Sequence, residues 1–447
     1  MSLGNKQLKI IASLAFAIPI YIYIGYFLDR TEFANLLFAF SLLFVIYSWQ
    51  LINRQKLKLN WLIISAITLR LLFLFSEPAL SDDVYRYIWD GRLWHAGINP
   101  YIYLPEHIIN NDIHIDGIDQ NLYEQLNSKQ YFSIYPPFSQ VIFYLSTAFS
   151  VDNLWVSIIM IRASILFAEI ISFFAILKIL DHLKLPEKHF AIYALNPLVI
   201  VELSGNLHFE AWLIAFLLLS FLMFLKNRIL LSAFFMALSI STKLWPLMFL
   251  PLFFGKLKFN VLFRYYGLTL SFVLLSFLPL MNLDLMQNLF QSIDLYFQKF
   301  EFNASVFYIL RYFGYLWKGY DLVQVIGPLL AFITFLFILF LAIKRRHQAI
   351  ADLPKEMLFS FSFFLFLSTT VHPWYLCLLL LLSVFTNYRF VILWSFTSIL
   401  SYYAYSQVAW QENFLLLSIE YILVFTFLIL ELKYERTFKE KLAKFLP

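Results

Sequence analysis

The chain has 447 residues, of which 61% are apolar, 20% aromatic and only 14% charged. No water-soluble domain can cover that much apolar surface, because even large globular chains keep polar faces, so the solvent is lipid. A net charge of +5 with the basic residues gathered in short loops is a topology signal and excludes a nucleic-acid partner. The single cysteine, Cys377, lies inside an apolar run and excludes a disulfide framework.

A hydrocarbon core about 30 Å thick needs about 20 apolar residues per helix. The run after Lys6 and Lys9 has that length and no small-residue cleavage motif, so it reads as a first membrane helix and not a signal peptide. The first three runs are 10–28, 33–52 and 61–76. Arg54, Lys56 and Lys58 follow the second, and the positive-inside rule then places 77–153 outside. Within that segment the apolar stretch 138–150 is too short to cross and reads as an interfacial or re-entrant helix. Further runs follow at 154–180, 190–204 and 210–225. The stretch 229–254 is interrupted by Lys243 and Pro246, and two half-spans meeting at the outer face keep Lys256 and Lys258 inside. After 261–280 comes a second external loop, 281–321. Crossings at 322–343, 356–371, 373–386, 390–405 and 413–432 end in a Lys-rich tail from Lys433 to Lys444. The expectation is an all-α polytopic membrane protein of one domain, 1–447, with roughly 12–14 transmembrane helices and both termini cytoplasmic.

On this count the unusual polar residues all reach the external face. They are Asp82, Asp83 and Asp90, the Tyr135-Pro136-Pro137 turn, Asn206 and His208, Lys243, and His372-Pro373-Trp374. Ionisable groups in or beside spans are costly and usually functional, so the convergence points to one cavity with acids on one wall and cations on another. If 82–95 is helical, Asp83, Tyr87 and Asp90 share a face. One carboxylate there can act as general base toward a sugar hydroxyl and a second can position it. The alternative is a Ser81 N-cap with both acids complementing a helix dipole. Arg86 fits an internal ion pair or a phosphate ligand equally. Glu202, Asn206, His208 and Glu210 form a second cluster, suited to an acceptor site or a divalent cation, or to hydrogen bonding between helices. Their spacing is no specific metal signature. The aromatic stretch from Phe297 to Tyr320 suits stacking on sugars, gripping a lipid tail, or an interfacial belt.

The acids Asp82 and Asp83 with Tyr85 and Asp90, the turn Gly97-Ile98-Asn99-Pro100-Tyr101, and Tyr135-Pro136-Pro137-Phe138 resemble the GT-C glycosyltransferases that use a lipid-linked sugar phosphate. Asn196-Pro197, Glu202, His208 and Lys243-Leu244-Trp245-Pro246 share recurring features of the same families. The likeness is greatest to the polyprenyl- or dolichyl-phosphate-mannose-dependent mannosyltransferases. Here the acids are adjacent, whereas the eukaryotic pattern is usually Asp-x-Asp, which leaves the assignment between Asp82 and Asp83 open. The resemblance implies a polyprenyl-phosphate sugar donor, with mannose as the sugar the likeness favours, a glycolipid or glycan acceptor, and a single inverting displacement on the extracytoplasmic face. It implies Asp82 and Asp83 as the catalytic acids and Arg86, Tyr87, Asp90, Tyr135, Glu202, His208, Lys243, Arg311, His372 and Trp374 as substrate-binding residues. Lys243, His372 and Arg311 are the cations expected to meet the departing phosphate, Lys243 foremost, because a desolvated lysine at a helix break needs an anion or must snorkel. No cofactor follows from this beyond a divalent cation as one option.

A transporter or flippase would show internal repeats and an ionisable residue at the bilayer midplane, and none is evident. A lipid-linked oligosaccharide polymerase or ligase would carry its key residues late in the chain. The short loops suit a bacterial inner membrane with a periplasmic active site.

Overall fold

The structure is a computed structural model that describes residues 5–111, 113–282, 284–285, 287–288, 300–407 and 410–434, with the backbone alone for 5–12. Among these residues it is all-helical, with only two isolated bridge pairs and no strand. Much of the second external loop, 281–321, and most of the Lys-rich tail lie outside the described residues.

The amino-terminal helices are α1 (Asn5–Tyr26), α2 (Phe33–Asn53) and α3 (Leu59–Leu71). The acid-bearing segment forms α4 (Asp83–His95), and the short stretch before the next span forms α5 (Pro137–Thr147). Then come α6 (Leu154–His182), α7 (Glu210–Leu225), α8 (Ile229–Thr242) and α9 (Phe259–Phe277). The carboxyl-terminal part contains α10 (Val306–Lys318), α11 (Val323–Lys344), α12 (Leu353–Leu367), α13 (Leu376–Val384), α14 (Phe390–Thr397) and α15 (Phe414–Lys433).

Five helical stretches are long and apolar enough to cross a membrane, and a sixth arises if Pro197–Gly205 and Glu210–Leu225, bent by 112°, count as one. The 12–14 crossings read from the sequence therefore do not appear as that many long helices among the described residues. Several apolar runs are instead broken. The run 190–204 folds as Phe190–Ala194, Pro197–Val199 and a π-helical turn, Ile200–Gly205; 390–405 passes from α14 into a 3₁₀ stretch, Ser398–Ser406; 373–386 starts with a 3₁₀ turn before α13. Hydropathy measures how apolar a run is and not where its hydrogen-bond ladder is interrupted, and broken helices persist only where protein covers them. The lipid-buried character fits an integral membrane protein.

Two packings position the polar centre. Helix α7 turns back on α8 through Lys226–Arg228, and both lie against α6 or α9. Helix α4 packs along α5 so closely at Gly91 that a Cβ there would meet the Phe143 carbonyl oxygen at 2.5 Å. Residues Val84 to Leu93 of α4 are buried, and the helix is tied to the 128–140 segment. Arg86 donates to Asp90 at 2.8 Å and to the carbonyls of Ser128 and Tyr131, while Ser133 and Gln140 donate to the other Asp90 oxygen. Removing one partner from such a buried charge pair costs about 3–5 kcal/mol, so this network locks α4 in place.

Candidate active site

Asp82 is the N-cap residue of α4, but its side chain makes no capping bond; the Ser81 hydroxyl instead accepts from the Asp83 N–H. Ser81 thus meets a first-turn N–H, as the helix-cap alternative has it, while the two acids turn to different partners. Arg30, from the loop between α1 and α2, donates to Asp82 at 2.6 Å. Asp83 accepts from Asn127 at 2.9 Å, and its other oxygen lies 3.9 Å from His208 Nδ1.

The opposite wall is built by the broken helix. Asn196 caps the turn that begins at Pro197, accepting from the Leu198 and Val199 N–H groups. The ladder then widens, with the Asn206 N–H reaching the Val201 carbonyl, and Leu207 takes φ 65°, an uncommon left-handed conformation for a bulky residue. Arg162 donates to the carbonyls of Ser204 and Gly205, and Glu169, paired with Arg70 at 2.7 Å, accepts from the Ser204 hydroxyl. Held this way, Glu202, His208 and Glu210 converge on the acids. Buried Glu202 accepts from Tyr402 at 2.6 Å and Asn206 at 3.1 Å and lies 3.3 Å from His208 Nε2. A buried carboxylate survives only with such partners.

Lys243 ends α8 in extended geometry and donates to Glu210. Its ammonium also sits over the rings of Trp245 at 4.1 Å and Tyr375 at 4.7 Å, a cation–π clamp. His208 stacks on Trp374 at 3.8 Å, and Trp374 on His372 at 4.2 Å. His372 meets Phe302, Phe302 meets Tyr405, and Arg30 lies over the Tyr405 ring at 5.4 Å. The contacts close a ring: Asp82, Arg30, Tyr405, Phe302, His372, Trp374, His208, Asp83. Burial first, and then the charges of Lys243 and His208, hold the His372 imidazole well below its ordinary range. These surroundings disfavour the charged form that the sequence reading expected there.

The other candidates lie apart. Tyr87 is buried among Tyr135, Phe143 and Phe209, and burial followed by Tyr135, Asp83 and Glu210 keeps its phenol well above the usual range. Asp83 and Glu210 thus both bear on it, but Tyr87, Tyr135, Arg86 and Asp90 form the bed of α4. Arg86 takes the ion-pair alternative. Arg311, on α10, pairs with Glu301, which sits between Phe300 and Phe302, and with Asp321. A cavity of about 410 Å³, lined by residues including Trp94, Asn99 and Tyr144, lies at the far end of α4, about 17 Å along the axis from Asp83. Among the described residues no three His, Cys, Asp or Glu side chains are grouped to hold a metal ion.

Arg30, Asn127, Tyr402 and Tyr405 escaped the sequence reading. Arg30 was within reach of it, since the topology count puts the loop between the first two helices on the same side as the acids. The tyrosines carried no signal, because Tyr402 lies 200 residues from Glu202, and Tyr405 lies far along the chain from Phe302 and Arg30, inside an apolar run.

Residues 19–257, more than half of the chain, match the family described as alpha-(1->6)-mannopyranosyltransferase, N-terminal domain. The chain belongs to this family. Membership in this GT-C-type mannosyltransferase family bears out the resemblance and supports mannosyl transfer. The matched region holds the acid pair, the broken helix and Lys243. Tyr402, Tyr405, His372 and Trp374 come from beyond it. No curated protein matches the chain.

Proposed function

We propose that this mannosyltransferase moves mannose from a polyprenyl-phosphate-linked donor to a hydroxyl of a glycolipid or glycan acceptor, at the extracytoplasmic face of a bacterial inner membrane. The family name specifies an alpha-(1->6) bond, so the nucleophile is a primary hydroxyl. An inverting displacement that yields an α bond needs a β-linked donor. Asp83 takes the hydroxyl proton as the acceptor oxygen bonds to the anomeric carbon; the bond from that carbon to the phosphate oxygen breaks, and its electron pair leaves with the lipid phosphate. Asp82, held by Arg30, positions the acid helix. Lys243, bonded to Glu210, adds positive charge to the site, and His372, whose buried Nδ1 has no hydrogen-bond partner among the described residues, is placed to bond a sugar hydroxyl.

The observation that carries this reading is the contrast between the neighbouring acids. Asp82 is engaged by an arginine at 2.6 Å, whereas Asp83 is held by a neutral amide and directs an oxygen toward His208. The experiment is transfer by the purified protein in lipid, offering β-linked polyprenyl-phosphate mannose or a nucleotide-linked mannose with a mannan acceptor. Mannose should pass only from the lipid phosphate. Transfer from the nucleotide sugar alone would overturn the donor assignment.

A further inference from the structure

We propose that Arg30 is the ligand of the donor's phosphate, bridging it to Asp82. This rests on the lipid-phosphate reading above and adds a residue to it. The site must take an anion in among Asp82, Asp83, Glu202 and Glu210, and the reaction adds negative charge to the leaving oxygen. A cation has to meet that charge, and the cations near the ring differ in what they have left to offer.

Lys243 is committed three ways, to Glu210 and to the faces of Trp245 and Tyr375. The surroundings of His372 disfavour its charged form. Arg86 is buried, with Asp90 and two carbonyls as partners, and Arg311 already serves two carboxylates. Arg30 is different. Its one hydrogen-bond partner among the described residues is Asp82, through one terminal nitrogen, and its side chain, 32% exposed, is as open as those of Lys243 and Arg311, so what sets it apart is the number of N–H donors still free. Guanidinium carries five N–H donors in a planar fork that matches phosphate bidentately. One edge can hold Asp82 while the rest of the fork takes two phosphate oxygens. Tyr405 beneath the guanidinium at 5.4 Å fixes the plane of that fork. Asp82 then orients the arginine, and the arginine places the anomeric carbon beside Asp83.

Binding of decaprenyl phosphate, a polyprenyl phosphate of the leaving group's class, tests this without any turnover. Wild type, Arg30→Ala, Arg30→Gln and Arg30→Lys in nanodiscs are compared for decaprenyl-phosphate binding, for inorganic-phosphate binding, and for donor KM and kcat. Charged hydrogen bonds contribute about 1.5–3 kcal/mol, so the Ala and Gln variants should bind decaprenyl phosphate about 10–100-fold more weakly, with donor KM rising in step. Lysine, keeping the charge without the fork, should recover part of the loss. Inorganic phosphate should compete weakly and with the same dependence on Arg30. If Arg30 only braces Asp82, the variants and Asp82→Asn will lower kcat alike and leave decaprenyl-phosphate affinity unchanged, which overturns the proposal. If the Ala and Gln variants do not fold, the lysine variant decides alone, and affinity equal to wild type rejects the forked contact. A wild type that binds decaprenyl phosphate through Arg30 but transfers no mannose would sink the reading of function and leave the phosphate site standing.

Discussion

Glu301 shows how one side chain can register pH beside the ring. It follows Phe300 and precedes Phe302, the two rings packed on His372. Burial, the largest cause, lifts its carboxyl from the usual 4.5 to about 7, with Arg311 pulling down and Asp321 and Glu412 pushing up. A raised carboxyl binds its proton more tightly in the folded protein than in the unfolded chain. Its contribution is full below about pH 4.5 and is lost as pH rises through 7. Thermal unfolding of wild type in micelles should therefore show a fall in melting temperature from pH 5.5 to 8 that Glu301→Gln flattens. An unchanged slope in the variant would assign the dependence to other groups. At this scale the sequence was most informative about residues with a chemical signature. The adjacent acids, Lys243 at a helix break and His208 beside Glu202 all reach the polar centre. Arg311 instead pairs with Glu301 and Asp321, each ten residues from it in the chain.

Helix α4 owes its place to its glycine. A Cβ at Gly91 would meet the Phe143 carbonyl oxygen at 2.5 Å and Thr147 Oγ1 at 2.7 Å, so Gly91→Ala must push α4 off α5. Overpacking costs about 1–3 kcal/mol, more than the ~1 kcal/mol that alanine gains over glycine in a helix. Gly267, inside α9, has nothing within 4 Å of the same added atom, so Gly267→Ala should stabilise by up to ~1 kcal/mol. Unfolding in micelles should give the two substitutions opposite signs. Equal signs would mean that α4 is not wedged against α5. Helices α4 and α5 and the break at Lys243 were legible, because a short amphipathic stretch and a lysine before Trp-Pro each interrupt an apolar pattern visibly. The π-helical turn at Ile200–Gly205 was not. It reads as unbroken apolar sequence, and what opens the ladder is the set of contacts made by Arg162, Glu169 and Tyr402 from distant segments.

For the whole molecule, the apolar composition indicated a membrane protein, and among the described residues five helices are long and apolar enough to cross while four further apolar helices run 10–17 residues. The charge pattern still predicts which side the acids face. The single cysteine, Cys377, is buried, so cysteines introduced at exposed loop positions can be labelled with little background. Thr31→Cys, beside Arg30, should react with a membrane-impermeant maleimide added outside intact cells, and His347→Cys, after Lys344-Arg345-Arg346, only after lysis; the reverse order would put the acid pair in the cytoplasm. The measurement that tests the central claim most directly is mannosyl transfer from β-linked polyprenyl-phosphate mannose by wild type, Asp83→Asn and Asp82→Asn, each shown to be folded by its unfolding transition. A positioned general base contributes about 10²–10⁴-fold. Asp83→Asn should lose that much in kcat with donor KM little changed, and Asp82→Asn should lose less. An Asp83→Asn enzyme that keeps wild-type turnover would contradict the account.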